Sequence, residues 1–217
     1  MEQIYTIPVN EAFEASAADK SCGCPFCALY NKLENDELEL ILGASMMEPE
    51  IRRETNEHGF CSRHFRKMFG MKNRLGLALM LESHLESLKK EVKTGNIFSR
   101  DIASKSVDRI EKLSKTCYVC FRIEDKISKM FTTAAYLYNE EKDFRENFKE
   151  VKYFCLPHYR EYMLAAKNQN IHLCRKIIIA QFLCKILSFY LLFLQRSKVH
   201  EYKTDVQVFP DFLLFIV

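Results

Sequence analysis

Cys24-Pro25-Phe26-Cys27 begins a pattern that the chain uses twice. In each copy a Cys-x-x-Cys motif is followed, after 33 or 34 intervening residues, by Cys-x-x-His. The first copy consists of Cys24, Cys27, Cys61 and His64, and the second of Cys117, Cys120, Cys155 and His158. Corresponding positions are offset by 93, 93, 94 and 94 residues, so the repeat is nearly in register. Duplication of all four positions is a strong signal, whereas either pair alone would be weak.

Each copy supplies three thiols and one imidazole, a ligand set that suits tetrahedral zinc. The Cys-x-x-Cys turn lets two sulfurs converge on one ion, and the distant Cys-x-x-His closes the tetrahedron. Four protein ligands leave no open position for water, so the pattern predicts structural rather than catalytic metal. We therefore expect two zinc ions per chain and no catalytic residues. The spacing does not decide whether one site takes all four ligands from one copy, because the two copies are nearly equivalent.

Other uses of these cysteines stay open at this stage. The same ligand types can hold an iron–sulfur cluster, and a Cys-x-x-Cys pair can serve a redox sensor or a thiol-dependent enzyme. A redox motif of the thioredoxin type belongs in a strand–helix context, which this sequence lacks. Cys22 forms a Cys-x-Cys pair with Cys24 and could replace a ligand, but Lys115 stands at the equivalent position of the second copy.

Composition indicates a folded helical protein. Of the 217 residues 48% are hydrophobic, with 17 Phe and 10 Tyr, which is enough for a core. Only 6 Gly and 5 Pro occur, and apolar residues recur at helical spacing. Residues 1–18 contain no apolar run, so we expect no secretory signal and a cytoplasmic location. Reducing cytosol keeps thiols free, which favours metal ligands over disulfides for the nine cysteines.

The repeat predicts an all-α protein with two pseudo-repeated helical lobes, each stapled by a Cys3His metal site. The expected divisions are residues 1–96 with the first site, 97–168 with the second, and an apolar tail, 169–217. Residues 1–23 are expected to form an irregular lead-in, and one long helix is expected over about 62–93. The stretch 47–57 is interpreted as a short acidic and basic segment, and the stretch 139–152 as a polar segment.

The tail has an unusual composition, because residues 162–200 contain neither Asp nor Glu. Residues 177–194 form a largely apolar run that is interrupted by Gln181 and Lys185. A run of 18 residues could just span a bilayer, so the tail is the one place where membrane contact is expected. A buried or oligomer-forming helix and a non-native tail are the two other interpretations.

A basic stretch surrounds the first Cys-x-x-His. If the helix is continuous, one of its faces carries Arg63, Arg66, Lys67 and Arg74. A phosphate-binding helix would require such a face, which makes nucleic acid a possible partner. The net charge of only +3 favours a solvated face beside an anionic metal site instead.

Several segments resemble an uncharacterised bacterial family, a domain of unknown function, over about residues 1–167. The matching motifs are Ile4 to Phe13, Cys24 to Tyr30, Gly59 to His64, Asn73 to Leu79, Cys117 to Cys120, and Phe154 to Tyr159. The resemblance implies no established activity. Some members are labelled as substrate-binding proteins of ABC transporters, but this chain has no α/β pattern of a two-lobed binding protein.

These observations predict a cytosolic, metal-stabilised binding or regulatory module without enzymatic activity. Its expected partner is another protein or a second copy of the chain. The alternative is a thiol-based or iron–sulfur redox sensor or enzyme that uses one of the Cys-x-x-Cys pairs.

Overall fold

The computed structural model describes residues 3–19, 21–93, 100–152 and 154–169. Within these ranges the chain forms α-helices and two short 3₁₀ helices, Gln3–Tyr5 and Ala44–Met47, and no strands. The all-α prediction is therefore confirmed. The helices are α1 (Thr6–Ala18), α2 (Pro25–Leu42), α3 (Pro49–His58), α4 (Ser62–Gly70), α5 (Arg74–Lys93), α6 (Arg100–Lys115), α7 (Tyr118–Glu140), α8 (Lys142–Glu150) and α9 (Leu156–Asn168).

The chain divides into two compact units. Unit 1 combines Met1–Leu29 with Ser128–Val217, and unit 2 is the stretch between them, Tyr30–Ile127. This division differs from the consecutive lobes 1–96 and 97–168 that the repeat suggested, because unit 2 is inserted into the sequence of unit 1. Residues 170–217, which include most of the expected tail, lie outside the described residues.

Unit 1 is built around aromatic rings, and its first helix corrects a prediction. We expected residues 1–23 to be irregular, but α1 forms there because Val9, Phe13 and Ser16 recur at steps of four and three and are all buried. The Phe13 ring lies 4.7 Å from the ring of Phe144 and 5.6 Å from that of Phe148, measured between centroids. Those two phenylalanines form the buried face of α8, inside the segment 139–152 that was interpreted as polar.

Unit 2 has an aliphatic core, to which α2, α4, α5 and α7 all contribute. Its buried members include Leu38, Ile41, Leu42, Met68, Leu77, Met80, Val119 and Ile123. The single helix expected over 62–93 is interrupted between α4 and α5. Met71 is extended, and the side-chain oxygen of Asn73 accepts the backbone N–H of Gly76 at 2.9 Å, which starts a new helix.

Two glycines of unit 2 are required by the fold. A side chain at Gly76 would overlap the carbonyl oxygen of Leu42, so glycine allows α5 to approach the end of α2 closely. Gly59 ends α3 with a φ of +62°, a conformation that L-residues with side chains rarely adopt. Helix α3 itself, Pro49–His58, covers most of the stretch 47–57 that was interpreted as an acidic and basic segment.

Gly59 also brings two distant segments together. Its carbonyl oxygen accepts the backbone N–H of Tyr118 at 3.0 Å, and the hydroxyl of Thr116 donates to the carbonyl of His58 at 2.8 Å. These bonds place the Cys-x-x-His of the first copy beside the Cys-x-x-Cys of the second. Among the described residues, no helix is long and apolar enough to cross a membrane, and the apolar run 177–194 lies outside them.

Candidate metal centres

The structure brings all eight motif residues together in two groups of four. The unit 1 centre contains Cys24, Cys27, Cys155 and His158, and the unit 2 centre contains Cys61, His64, Cys117 and Cys120. Each centre thus takes its Cys-x-x-Cys from one copy of the repeat and its Cys-x-x-His from the other. The exchange of ligands between copies, which the spacing left open, is the arrangement in the structure.

In the unit 1 centre the donor atoms lie close together. The imidazole Nδ1 of His158 is 3.1 Å from the sulfur of Cys155, 3.3 Å from that of Cys27 and 4.0 Å from that of Cys24. The sulfurs of Cys27 and Cys155 are 3.6 Å apart. The sulfurs therefore converge on the same ring nitrogen.

The unit 2 centre has nearly the same dimensions. The Nδ1 of His64 is 3.2 Å from the sulfur of Cys117, 3.3 Å from that of Cys61 and 3.5 Å from that of Cys120. The sulfurs of Cys61 and Cys120 are 3.9 Å apart.

These separations fit a tetrahedral ion. Metal–sulfur bonds of about 2.3 Å and metal–nitrogen bonds of about 2.0 Å place sulfurs roughly 3.8 Å apart and sulfur and nitrogen roughly 3.5 Å apart. The sulfur–sulfur distances of 3.6 and 3.9 Å in the two centres bracket the first value. Each group of four could therefore hold one metal ion without rearrangement of its backbone.

Each centre is built from the N-termini of two helices. Cys24 and Cys117 directly precede α2 and α7, while Cys61 and Cys155 are the N-cap residues of α4 and α9. The second ligand of each motif follows three residues later, in the first helical turn. Since helix N-termini carry partial positive charge, this arrangement favours the net negative charge of three thiolates around a divalent ion.

The two N-cap cysteines have thiols of lowered pKa. Burial opposes the effect at Cys61, but the backbone N–H groups of His64 and Arg63 and the neighbouring thiols lower its pKa. Hydrogen bonds from Cys24 and Cys27 lower the pKa of Cys155, against burial, and the side chain and backbone of His158 add to them. Thiolate, the form that binds metal, is thus favoured at these two positions.

The surroundings of the two imidazoles differ. His64 is fully buried, and its Nε2–H donates to Oε1 of Glu34 at 3.0 Å. Glu34 is also fully buried and pairs with Arg63 at 2.8 Å and with Lys67. Burial raises the pKa of Glu34, but the Lys67 hydrogen bond and the charges of Arg63 and Lys67 outweigh it and lower the pKa. The nitrogen of this imidazole that faces away from the sulfurs therefore contacts a carboxylate, and two cations pair with that carboxylate.

His158 lies instead among aromatic rings. Its ring centroid is 5.9 Å from that of Phe131 and 6.4 Å from that of Phe26. Phe26 and Phe131 pack on each other at 4.5 Å, and both are buried. Burial would lower the pKa of His158, but its hydrogen bonds and electrostatic interactions with Cys155 and Cys24 raise it to about 9. The unit 1 centre is thus embedded in the aromatic core of its unit.

Comparison with known proteins identifies the family. The model of a family of unknown function, DUF6062, matches residues 1–209. The chain belongs to the DUF6062 family. It has no match among curated proteins or among solved structures.

Two arginines that lie close in sequence to the ligands of this DUF6062 chain, Arg63 and Arg122, pair with carboxylates of α2. Arg63 reaches the unit 2 centre by way of Glu34, and the Arg66 guanidinium donates to the Ser62 carbonyl at 3.3 Å. Arg122 pairs with Glu37 at 3.4 Å.

Because α4 ends at Gly70, Arg74 belongs to α5 and does not extend the basic face of α4. The continuous phosphate-binding face that was considered for residues 63–74 is therefore not formed as a single helix.

The sequence pattern did not single out Glu34 and Glu37 of the DUF6062 chain. Both carboxylates are buried, at 0% and 1% exposure, and Glu37 pairs with Arg122 and, at 2.6 Å, with Lys126. A signal was available, since Glu34 shares the buried stripe of α2 with Leu38 and Ile41 at steps of four and three. A carboxylate on an apolar helical stripe requires charged partners elsewhere in the fold.

Cys22, the other candidate ligand, is exposed and belongs to neither centre.

Proposed function

We propose that this chain is a cytosolic, non-enzymatic helical module whose two units are each held together by one structural zinc ion, and that it binds another protein or a second copy of itself. The observation that carries the proposal is the convergence of three sulfurs and one imidazole nitrogen in each unit. Zinc is the metal that this donor set suits best, because Cys3His sites are typical of tetrahedral structural zinc.

A structural role agrees with how the ligands are joined. In unit 1 the centre links residues 27 and 158, which are 131 positions apart, and in unit 2 it links residues 64 and 117, which are 53 apart. A metal clip across such separations restricts the unfolded chain as a disulfide would, and it does so in a reducing compartment. The four donors of each group complete a tetrahedron, so no ligand position is left for a substrate.

A protein partner is preferred over nucleic acid on the basis of charge. The net charge of the chain is only +3, and two of the cations of α4, Arg63 and Lys67, are paired with Glu34. Phosphate binding needs cations that can leave their protein partners without cost. The α4 surface therefore offers little to a nucleic acid backbone.

The first test is metal content, measured by elemental analysis of protein purified without added metal, with a visible spectrum alongside. We expect about two zinc ions per chain and no visible absorption, as for structural Cys3His sites. Iron with broad visible absorption would instead support the iron–sulfur redox alternative. A protein that purifies without metal and binds none on titration would contradict the proposal.

A second test separates structural thiols from reactive thiols. In a variant in which the three cysteines outside the two motifs, Cys22, Cys174 and Cys184, are changed to Ser, the six ligand cysteines are expected to resist a thiol reagent until a chelator removes the metal. The helical circular dichroism signal is then expected to fall, because metal binding and folding are coupled. Rapid modification of ligand thiols in the folded, metal-loaded protein would favour a redox sensor instead.

A further inference from the structure

Glu34 is the most enclosed charged side chain at either centre. It has no solvent exposure, and all of its described contacts are charged or ionisable groups of α4. Oε1 accepts from His64 Nε2 at 3.0 Å and from Arg63 at 2.8 Å, while Oε2 accepts from Lys67. A carboxylate is rarely buried to this extent unless its charge is fully partnered, so the cluster has a defined geometry.

This geometry determines which nitrogen of His64 faces the thiols. A hydrogen bond from Nε2–H to a fixed carboxylate keeps the proton on Nε2 and leaves the lone pair on Nδ1. Nδ1 is the atom that lies within 3.5 Å of the sulfurs of Cys61, Cys117 and Cys120. Metal-binding histidines are commonly oriented by such a carboxylate, which also makes the imidazole a stronger ligand.

The formal charges of the cluster also balance. Three thiolates and one divalent ion leave one negative charge, and Glu34 adds a second. Arg63 and Lys67 supply two positive charges on the far side of Glu34. Glu34 can therefore remain ionised beside an anionic metal centre. Without the two cations, the negative charges of the centre and of Glu34 would repel each other and disfavour the ionised carboxylate.

We propose that Glu34 is a positioning residue for the metal of the unit 2 centre, acting through His64 and held in place by Arg63 and Lys67. This inference rests on the proposed function, since it requires that the unit 2 centre binds a metal. Its effect is on the affinity and coordination geometry of one of the two metals.

Helix α2 provides a matched control in Glu37. Glu37 is 1% exposed and, like Glu34, is paired with one arginine and one lysine from a helix that begins at the unit 2 centre. Its described contacts do not include a metal ligand. Changing either carboxylate to glutamine removes a buried charge and releases two partly exposed cations, but only Glu34→Gln alters the partner of His64.

The experiment compares Glu34→Gln and Glu37→Gln in the full chain loaded with cadmium. Cadmium NMR is expected to show two resonances in the unmodified protein. The resonance that changes in Cys120→Ser, which lacks one ligand of the unit 2 centre, is assigned to unit 2. Glu34→Gln should shift that resonance alone and lower the affinity of that metal by about 10–100-fold in chelator competition. Glu37→Gln should leave both resonances and both affinities nearly unchanged.

Equal effects of the two glutamine variants would overturn the inference, because they would show that Glu34 contributes only as a buried charge. If Glu34→Gln does not fold, Glu34→Asp is the second variant to test. It keeps the negative charge and both cations, but its shorter side chain withdraws the carboxylate from His64. It should show the same selective shift with a smaller loss of affinity, and an unchanged resonance would again overturn the inference. An unmodified chain that binds no metal would contradict the proposed function itself, whereas two bound metals with no selective effect would contradict only the role of Glu34.

Discussion

The two centres have the same ligand set, but the described residues around their imidazoles differ. In unit 2 the imidazole donates a hydrogen bond to a carboxylate that is paired with two cations, and in unit 1 the imidazole lies beside two phenylalanine rings. The repeat offset of 93 places Ile127 at the position equivalent to Glu34 and, with the offset of 94, Glu161 at the position equivalent to Lys67. The two copies of the pattern thus share the ligand residues but differ in the residues around them. Identical ligands do not imply equivalent metal centres.

The exchange of ligands between copies has the largest expected consequence. Cys27 and Cys155 belong to one centre, so the double variant Cys27→Ser with Cys155→Ser should lose one metal per chain. Cys27→Ser with Cys61→Ser affects both centres and should lose two. Elemental analysis of the purified variants distinguishes these outcomes. The reverse pattern would show that each centre is formed within one copy of the repeat.

The aromatic surroundings of unit 1 predict the next largest effect. Phe13 is fully buried and packs against three other phenylalanines at 4.7–5.6 Å, so Phe13→Ala should lower the free energy of unfolding by about 3–5 kcal/mol. Ile7→Ala, on the same helix but 69% exposed, is the control and should change it little. Urea denaturation followed by circular dichroism provides the measurement. Similar stabilities for the two variants would contradict the packing of α1 into unit 1.

Unit 2 predicts a smaller effect at a close backbone contact. Gly76→Ala would place a methyl group against the Leu42 carbonyl and should cost about 1–3 kcal/mol. At Gly70 an added methyl group meets nothing within 4 Å, and Gly70→Ala should instead be neutral or stabilising by up to about 1 kcal/mol. Thermal unfolding of the two variants, side by side, checks the opposite signs. A stabilising Gly76→Ala would show that α5 and α2 are farther apart than the structure has them.

The smallest expected effect concerns a surface pair of unit 2. The Lys112 ammonium, hydrogen-bonded to Glu57 at 2.8 Å, lowers the pKa of that carboxyl. Since the folded-state pKa is depressed, the pair stabilises the protein above the ordinary pKa of glutamate and loses this effect as pH falls through the folded-state value. Lys112→Met should raise the pKa of Glu57 toward 4.5, as measured by NMR titration.

The control for this titration is Lys115→Met, because Lys115 pairs with Glu111 rather than with Glu57. This variant should leave the pKa of Glu57 unchanged. An equal shift in both variants would mean that net charge, and not the specific pair, sets the pKa.

The eight metal-binding candidates could be found from sequence because their spacing is local and repeated. Their grouping could not, since both assignments satisfy the same spacing. It depends on a contact between distant segments, the hydrogen bond from Tyr118 to Gly59, which no pattern of ligands contains. The division of the chain into two units depends in the same way on contacts between distant segments.

The helices were predictable where apolar residues recur over many turns, as Ile123, Ile127, Met130, Ala134 and Leu137 do in α7. Helix α1 was missed because only Val9, Phe13 and Ser16 are buried in it and no acidic or basic residue marks its ends. The break at Asn73 was missed because the apolar periodicity continues across it, while one side-chain cap decides the local conformation. The role of Glu34 could not be predicted from α2 alone, because the cations that pair with its carboxylate, Arg63 and Lys67, lie on α4.

The insertion of unit 2 into unit 1 sets an order of events during translation. Counting only the motif residues, the first complete set of three cysteines and one histidine to be synthesised is Cys24, Cys27, Cys61 and His64, which forms neither centre. The unit 2 set is complete at residue 120, and the unit 1 set only at residue 158. At roughly 5–20 residues per second, Cys27 is synthesised about 7–25 s before the histidine with which it shares a centre. A metal captured by the nascent chain in that interval would have to exchange ligands before the native pairing could form.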